Sequence, residues 1–431
     1  MSILQTKKKT ALLLMLLSIS IPFLIGPTIQ YAVSTEENQV YRSNSSISYD
    51  LNYTINYQSL INSPTIFKIW VARINNWSTV QSSDIFNQTG PENIANQTLG
   101  DFDIYNNSYD YYYKEMEGNS GDQSFNLQYR YNVTSSGIKW DIPDNLTLDI
   151  YDKDSPLYKF YTSYQPYVET NDTDIINTAQ TLIEGKSSLN EMIEAVYLYV
   201  VKNLEYTARA DSIGAAAALA TKKGDCSEFS SLMVALLRTI GIPARKVLGF
   251  ALVDSDGDTP TPKYDVKKGD VWSYSSQNNN LPGHAWVQYY IPGAGLGWVS
   301  ADPTWGNSFY QYGEKYALQY LNQIEYLHLI TTIGDFYGQG INPPLDLLGS
   351  DEEGIPEFPF FYPIGNATNY NFSFELEFKC TDVNLSEETS TPLSIWPFVI
   401  IGSSGSLLCI IIVFAAVIKR KGKKNRYQYR Y

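Results

Sequence analysis

Residues 224–250 read GDCSEFSSLMVALLRTIGIPARKVLGF. Phe229, Leu232, Met233, Leu236, Leu237 and Ile240 recur at the spacing that gathers them on one face of a helix. Asp225 is the natural N-cap, with Glu228 in the capping-box position. Gly241 supplies a stop, and Pro243 forbids continuation. Lys246 to Phe250 then reads as a buried strand. Cys226 falls in the first helical turn, on the buried edge of the apolar stripe. A thiol there feels the positive end of the helix macrodipole, which favours thiolate. Asp225 and Glu228 push the other way, so activation requires a cationic partner. Without one, a buried Cys is an inert packing residue.

The chain has only two His. His284 opens the alternating run GHAWVQYYIP from Gly283, a Gly-rich loop follows from Gly293, and Trp298 to Trp305 reads as a second strand. A hairpin centred on that loop pairs residues whose numbers sum to about 586–588. His284 then lies opposite Asp302 or Thr304, and His284 and Asp302 project from the same face. An imidazole that takes the thiol proton becomes the missing cation, and a carboxylate on its far nitrogen sets its tautomer. Asp302→Ala is expected to leave the fold nearly intact and to cut the rate by orders of magnitude. His328 sits in an apolar strand-like run and reads as structural.

These motifs, GDCSEFSSLMVALLRTIGIPAR, GHAWVQYY and WVSADPTWG, resemble the transglutaminase-like superfamily of papain-type thiol enzymes. The resemblance covers about Tyr161 to Asp335, from the helical lead-in ending at Tyr206 to the run that starts at His328. It implies an α+β core in which the Cys helix packs on an antiparallel sheet, preceded by a β-sandwich. It implies Cys226 as nucleophile, His284 as general base and acid, and Asp302 as orienter. Tyr206 would help to hold the oxyanion. No cofactor is implied. The expected activity is acyl transfer or amide hydrolysis on protein or peptide substrates. The alternatives are a cysteine protease proper, or a non-catalytic surface binding module that retains the triad.

The flanks fill in the organisation. The chain has 431 residues, 44% apolar and 18% charged, with a net charge of −14, which excludes a disordered or heptad protein. Setting aside the three Lys of residues 1–10 and the seven Lys and Arg of residues 419–431 leaves −24 between them, a charge that repels nucleic acid. Lys7, Lys8 and Lys9 before the apolar run Ala11 to Gly26 read as a signal peptide or N-terminal anchor over residues 1–34. Residues 395–418 are uncharged and long enough to span a bilayer, and the basic tail behind them belongs inside. This gives a single-pass cell-membrane protein with its catalytic domain outside. Its expected parts are a β-sandwich over 36–160, a core over 161–340 and a juxtamembrane stalk over 341–394. Twelve N-x-[ST] sequons, at Asn44, Asn52, Asn76, Asn87, Asn96, Asn106, Asn132, Asn145, Asn171, Asn366, Asn371 and Asn384, leave the central stretch bare and suggest a glycoprotein. The tyrosine cluster Tyr109, Tyr111, Tyr112 and Tyr113 reads as an ordinary strand. Three scattered Cys make no disulfide framework. Asp254, Asp256 and Asp258 lack the twelfth-position Glu of a calcium loop and read as a charged hairpin, so no metal is expected.

Overall fold

A helix runs over Cys226–Thr239, with the Asp225 carboxylate accepting from the Ser227 N–H and the Glu228 carboxylate from the Asp225 N–H. It closes with Gly241 at φ +88°, a left-handed conformation that glycine adopts without a Cβ penalty. The expected single apolar stripe understates its burial: every residue from Ser227 to Arg238 is buried. Its polar side chains therefore need internal partners. Arg238 donates to the carbonyls of Ala244 and Ser163. Glu228 accepts from the Ser212 hydroxyl and the Ile213 N–H.

In this computed structural model, residues 41–59, 65–77, 80–89, 96–116, 124–209, 212–254, 261–275, 283–293, 295–334, 361–365 and 370–385 are described. The Cys helix packs between helices and a sheet. The helices are Thr173–Ile183, Leu189–Asn203, Gly214–Thr221 and Pro303–Tyr310. The sheet is antiparallel and has four strands, in the order Gly297–Ala301, Gly283–Ile291, Ala244–Ala251, His328–Ile333. All eight residues of Ala244–Ala251 are buried, as a central strand covered on both faces must be. Gly249 is needed where that strand passes beneath the Leu329 carbonyl, because a Cβ would collide with it.

The hairpin has the upper of the two expected registers. Val287 pairs with Ala301 and Ile291 with Gly297, a sum of 588. The second strand is shorter than expected, however. It ends at Ala301, and Asp302 caps a helix over Pro303–Tyr310. Pro at the first helical position has no N–H to lose there, and an Asp before it satisfies the next donors.

Residues 41–139 supply strands to two further antiparallel sheets. Tyr41–Ser59 alternates, with Ile47, Tyr49, Leu51, Tyr53 and Ile55 buried. These strands do not form a package of their own over 36–160. The larger sheet runs Val271–Ser275, Tyr370–Asn384, Tyr41–Ser59, Ser124–Lys139, Gln323–Ile324, with Gln81–Thr89 also on Ser124–Lys139. The smaller runs Phe361–Gly365, Thr65–Ala72, Ser108–Met116, Asn96–Phe102. Part of the expected stalk is thus sheet: Leu376, Phe378 and Cys380 are buried opposite Tyr53, Leu51 and Tyr49. Their alternating apolar pattern is that of a strand with one buried face. In the tyrosine cluster, Tyr109, Tyr111 and Tyr112 are buried in a strand, and the Tyr112 hydroxyl meets that of Tyr129 in the other sheet at 2.8 Å.

Two side-chain amides join these strands to the core sheet. Gln81 accepts from the Ile330 N–H and donates to the Ile330 carbonyl. Asn107 does the same at Ile333. Each amide imitates a neighbouring strand on the open edge of His328–Ile333, where unpaired backbone would otherwise be a liability.

Val253–Asp254 pairs with Thr261–Pro262 as a short antiparallel hairpin. Asp256, Asp258, the N-terminal segment over 1–34, the run over 395–418 and the basic tail lie outside the described residues. Among the described residues no helix is long and apolar enough to cross a membrane.

Candidate active site

Cys226 is the first residue of its helix, half-buried and not in a disulfide. Around it the chain is held by short-range bonds. Glu205–Tyr206 pairs in parallel with Lys223–Gly224, so Tyr206 sits opposite Gly224, two residues before the Cys. The Tyr206 ring lies 6.4 Å from that of Phe229. Gly224 has no room for a side chain, because a Cβ would strike Glu228. Asp225 and Glu228 are both occupied with N–H and O–H donors, the former also with the Arg209 N–H. A lysine amine reaches the same turn: buried Lys246 places Nζ 2.7 Å from the Ser227 hydroxyl.

The Cys helix lies against the strand that carries His284. His284 is buried, with its ring near-stacked between Trp286 at 5.9 Å and Trp305 at 5.8 Å. Its Nε2 is 2.7 Å from Asp302 Oδ2. A carboxylate only accepts, so the proton belongs on Nε2, and Nδ1 is the nitrogen available to another partner. Asp302 reaches His284 from the cap of the following helix, not from the sheet ladder. Its Oδ1 accepts from the Thr304 and Trp305 N–H groups, both at 2.9 Å. Its own N–H donates to the Tyr320 carbonyl. The Tyr197 hydroxyl, bonded to the Ala317 carbonyl at 2.6 Å, stands 3.4 Å from the Asp302 carbonyl.

His328 is not the bystander its apolar surroundings suggested. Its Nε2 lies 3.1 Å from the same Asp302 Oδ2, and its ring is 4.3 Å from that of Trp305. Burial alone would raise the Asp302 pKa, but the two imidazoles overcome it and hold the carboxyl well below its usual range. Burial pushes His328 down, against the pull of Asp302. His284, Asp302 and His328 are also grouped closely enough to offer an ion one ligand atom each. Both Nε2–Oδ2 separations are those of hydrogen bonds, so the arrangement fits protonated nitrogens.

The sequence brought Cys226, His284, Asp302 and Tyr206 forward; it read His328 as structural and gave no role to Lys246 or Tyr197. A Lys at the head of an apolar strand was the one local sign of a role for Lys246. Both histidines of a chain with only two meeting one carboxylate became visible with the fold.

Residues 176–303 match the family model of the transglutaminase-like superfamily, and this stretch contains Cys226, His284 and Asp302. The chain therefore carries a transglutaminase-like domain. The uncharacterized protein YebA of Bacillus subtilis (strain 168) is 30% identical over 162 residues, which cover 36% of this chain and 20% of YebA. An uncharacterized protein of Haemophilus influenzae is 30% identical over 154 residues, 33% of this chain and 38% of that protein. The chain thus spans less than two fifths of either relative's length. Among solved structures it resembles a Cytophaga hutchinsonii protein provisionally described as a cysteine protease, with 15% identity and a TM-score of 0.44 over 81% of this chain and 95% of that one. Red sea bream transglutaminase matches with 14% identity and a TM-score of 0.26 over 63% of this chain and 50% of that one.

Proposed function

We propose that the transglutaminase-like domain of this chain is a thiol enzyme acting on amide bonds of proteins or peptides. Cys226 is its nucleophile, His284 its general base and acid, and Asp302 the group that orients His284. The observation that carries the reading is the 2.7 Å contact of His284 Nε2 with Asp302 Oδ2, on a strand packed against the helix that begins at Cys226. With Nε2 committed to Asp302, His284 Nδ1 exchanges the proton with sulfur.

The thiol proton passes to Nδ1 as sulfur adds to a carboxamide or peptide carbonyl, whose electron pair moves onto oxygen. The positive end of the Cys helix favours that oxyanion, and Tyr206 is the side chain we assign beside it. Collapse of the adduct expels ammonia or an amine, which leaves with the Nδ1 proton and gives a thioester. Water or a second amine then attacks, Nδ1 takes its proton, and the sulfur leaves as the thiol. Water yields hydrolysis and an amine yields a cross-link, so one site serves both outcomes. The uncharged run over 395–418 and the basic tail behind it support a membrane-anchored domain facing outward.

Site-resolved alkylation at pH 6 tests the thiol. Cys226 should react faster than a simple thiol with a pKa of about 8.5. A glutamine peptide with a labelled amine should release ammonia and incorporate the amine, and Cys226→Ala should do neither. Alkylation at the rate of a simple thiol, with no turnover, removes the reading. Protease added to intact cells should digest the domain and spare the tail; a protected domain overturns the topology.

A further inference from the structure

Both histidines of this chain end on one oxygen. Their rings are 5.6 Å apart, with Nε2 of each turned to Asp302 Oδ2. One acceptor that serves two donors divides its charge between them. The chemistry proposed above uses only His284, which leaves His328 as a buried polar group where the strength of the orienting carboxylate is set.

The placement of His328 is built from several directions. Its Nδ1 is 3.2 Å from the Glu325 carbonyl. Its ring packs 4.8 Å from Trp286 and 4.3 Å from Trp305. Its backbone pairs with Ala251 on one side. On the other, the amides of Gln81 and Asn107 hold the same strand at Ile330 and Ile333. Of these features, the approach of the ring nitrogens to the Glu325 carbonyl and to Asp302 Oδ2 is the part that a residue merely filling space would not supply.

We propose that His328 is a positioning residue of the thiol site, which shares Asp302 Oδ2 with His284, fixes the carboxylate and tempers its pull on the His284 imidazolium. The proposal rests on His284 being the acid–base group of the reading above. Without the second donor, the charge on Oδ2 falls on His284 alone. The imidazolium then keeps its proton to higher pH and becomes a weaker acid toward the leaving amine.

Besides the Cys226 thiol of the reading above, the titratable groups around this cluster are Tyr197 on Leu189–Asn203, Tyr320 on the short turn Leu318–Tyr320, and Glu325 just before the His328 strand. Burial raises both tyrosines, which stay neutral. Glu325 is pushed up by burial to about 7, inside the working range, so its titration has to be removed.

The experiment is a ring-nitrogen NMR titration of the full chain carrying Glu325→Gln, with and without His328→Phe or His328→Gln. Two histidines give two assignable pairs of resonances. Phe keeps a ring against Trp305 and Trp286 but donates nothing; Gln returns an N–H near the place of Nε2. The His284 midpoint should rise by about one pH unit in His328→Phe, a tenfold change in proton affinity, and by less than about 0.3 unit in His328→Gln. A midpoint that does not move in His328→Phe, or moves equally in both, overturns the proposal. Should the Phe variant not fold, the unsubstituted chain decides. His328 Nε2 must resonate as a protonated nitrogen at neutral pH, and a bare Nε2 overturns the proposal. These readouts follow protons and not turnover, so they remain separate from failure of the Cys226 chemistry.

Discussion

Asp302→Asn and Asp302→Ala should separate two tasks that one carboxylate performs. Asn caps a helix as well as Asp does, so Oδ1 can still accept from the Thr304 and Trp305 N–H groups. On its other side, an amide NH2 replaces the oxygen that His284 and His328 share. The amide donates, so His284 Nε2 must accept and its proton moves to Nδ1, the nitrogen that has to take the thiol proton. The wrong tautomer costs about 10⁴ in rate, or ~5 kcal/mol of barrier, while stability changes by about 1 kcal/mol. Ala removes everything at once. The lost cap costs about 1 kcal/mol, and two buried imidazole N–H groups without an acceptor cost about 1–3 kcal/mol each. The total of about 3–7 kcal/mol rivals the whole stability of a domain. The alanine variant, expected from the sequence to be clean, thus loses activity by unfolding. Thermal unfolding and ammonia release measured on the same preparations check both. An Asn variant within about threefold of the parent rate would refute the orienting role. An Ala variant as stable as the Asn variant would refute the accounting for the cap and the two histidines.

Stability should also fall in two acid stages. Burial holds His328 below the ordinary imidazole value, so the unfolded chain takes that proton first. Its contribution is complete above about pH 6.5 and is lost as the pH falls through the lowered folded value. Asp302, depressed by its imidazoles in spite of burial, contributes fully above about pH 4 and loses that share in stronger acid. Urea midpoints across this range should show both stages in the parent and lack the lower one in Asp302→Asn. Gly306→Ala should cost about 1–3 kcal/mol, because the new methyl strikes the Tyr197 hydroxyl. Adding Tyr197→Phe should return part of that loss, and simple additivity of the two unfolding shifts would refute the collision. Gln81→Ala should speed hydrogen exchange at Ile330 by about tenfold or more, since the strand edge loses its partner there; unchanged exchange would mean the clamp is not holding it.

The Cys helix was legible because its determinants are local. A capping carboxylate, a repeating apolar face and a Gly-Ile-Pro stop act within a few residues of one another, whatever surrounds them. The same holds for the hairpin. A Gly-rich loop and a period of two carried the register as far as Val287 opposite Ala301, whereas Asp302 meets His284 from the helix cap beyond that ladder. The helix at Pro303 was also written locally, as Asp followed by Pro, but the apolar run before it reads equally well as a longer strand. Packing of Trp305 beside both histidines, with Gly306 against Tyr197, accompanies the helical form.

What only the tertiary structure decided is where distant segments meet. Nothing near Tyr370–Asn384 says that its partner is Tyr41–Ser59, because an alternating strand fits any edge with a matching apolar face. Nothing near His328 names Asp302 as its acceptor, since a histidine in an apolar run looks the same whether it packs or donates. Lys246 likewise shows its partner, Ser227, only once strand and helix are stacked. Local propensity acts over a turn or two of chain, whereas these contacts depend on close packing, and packing fixes a side chain's partner only after the elements have been brought together.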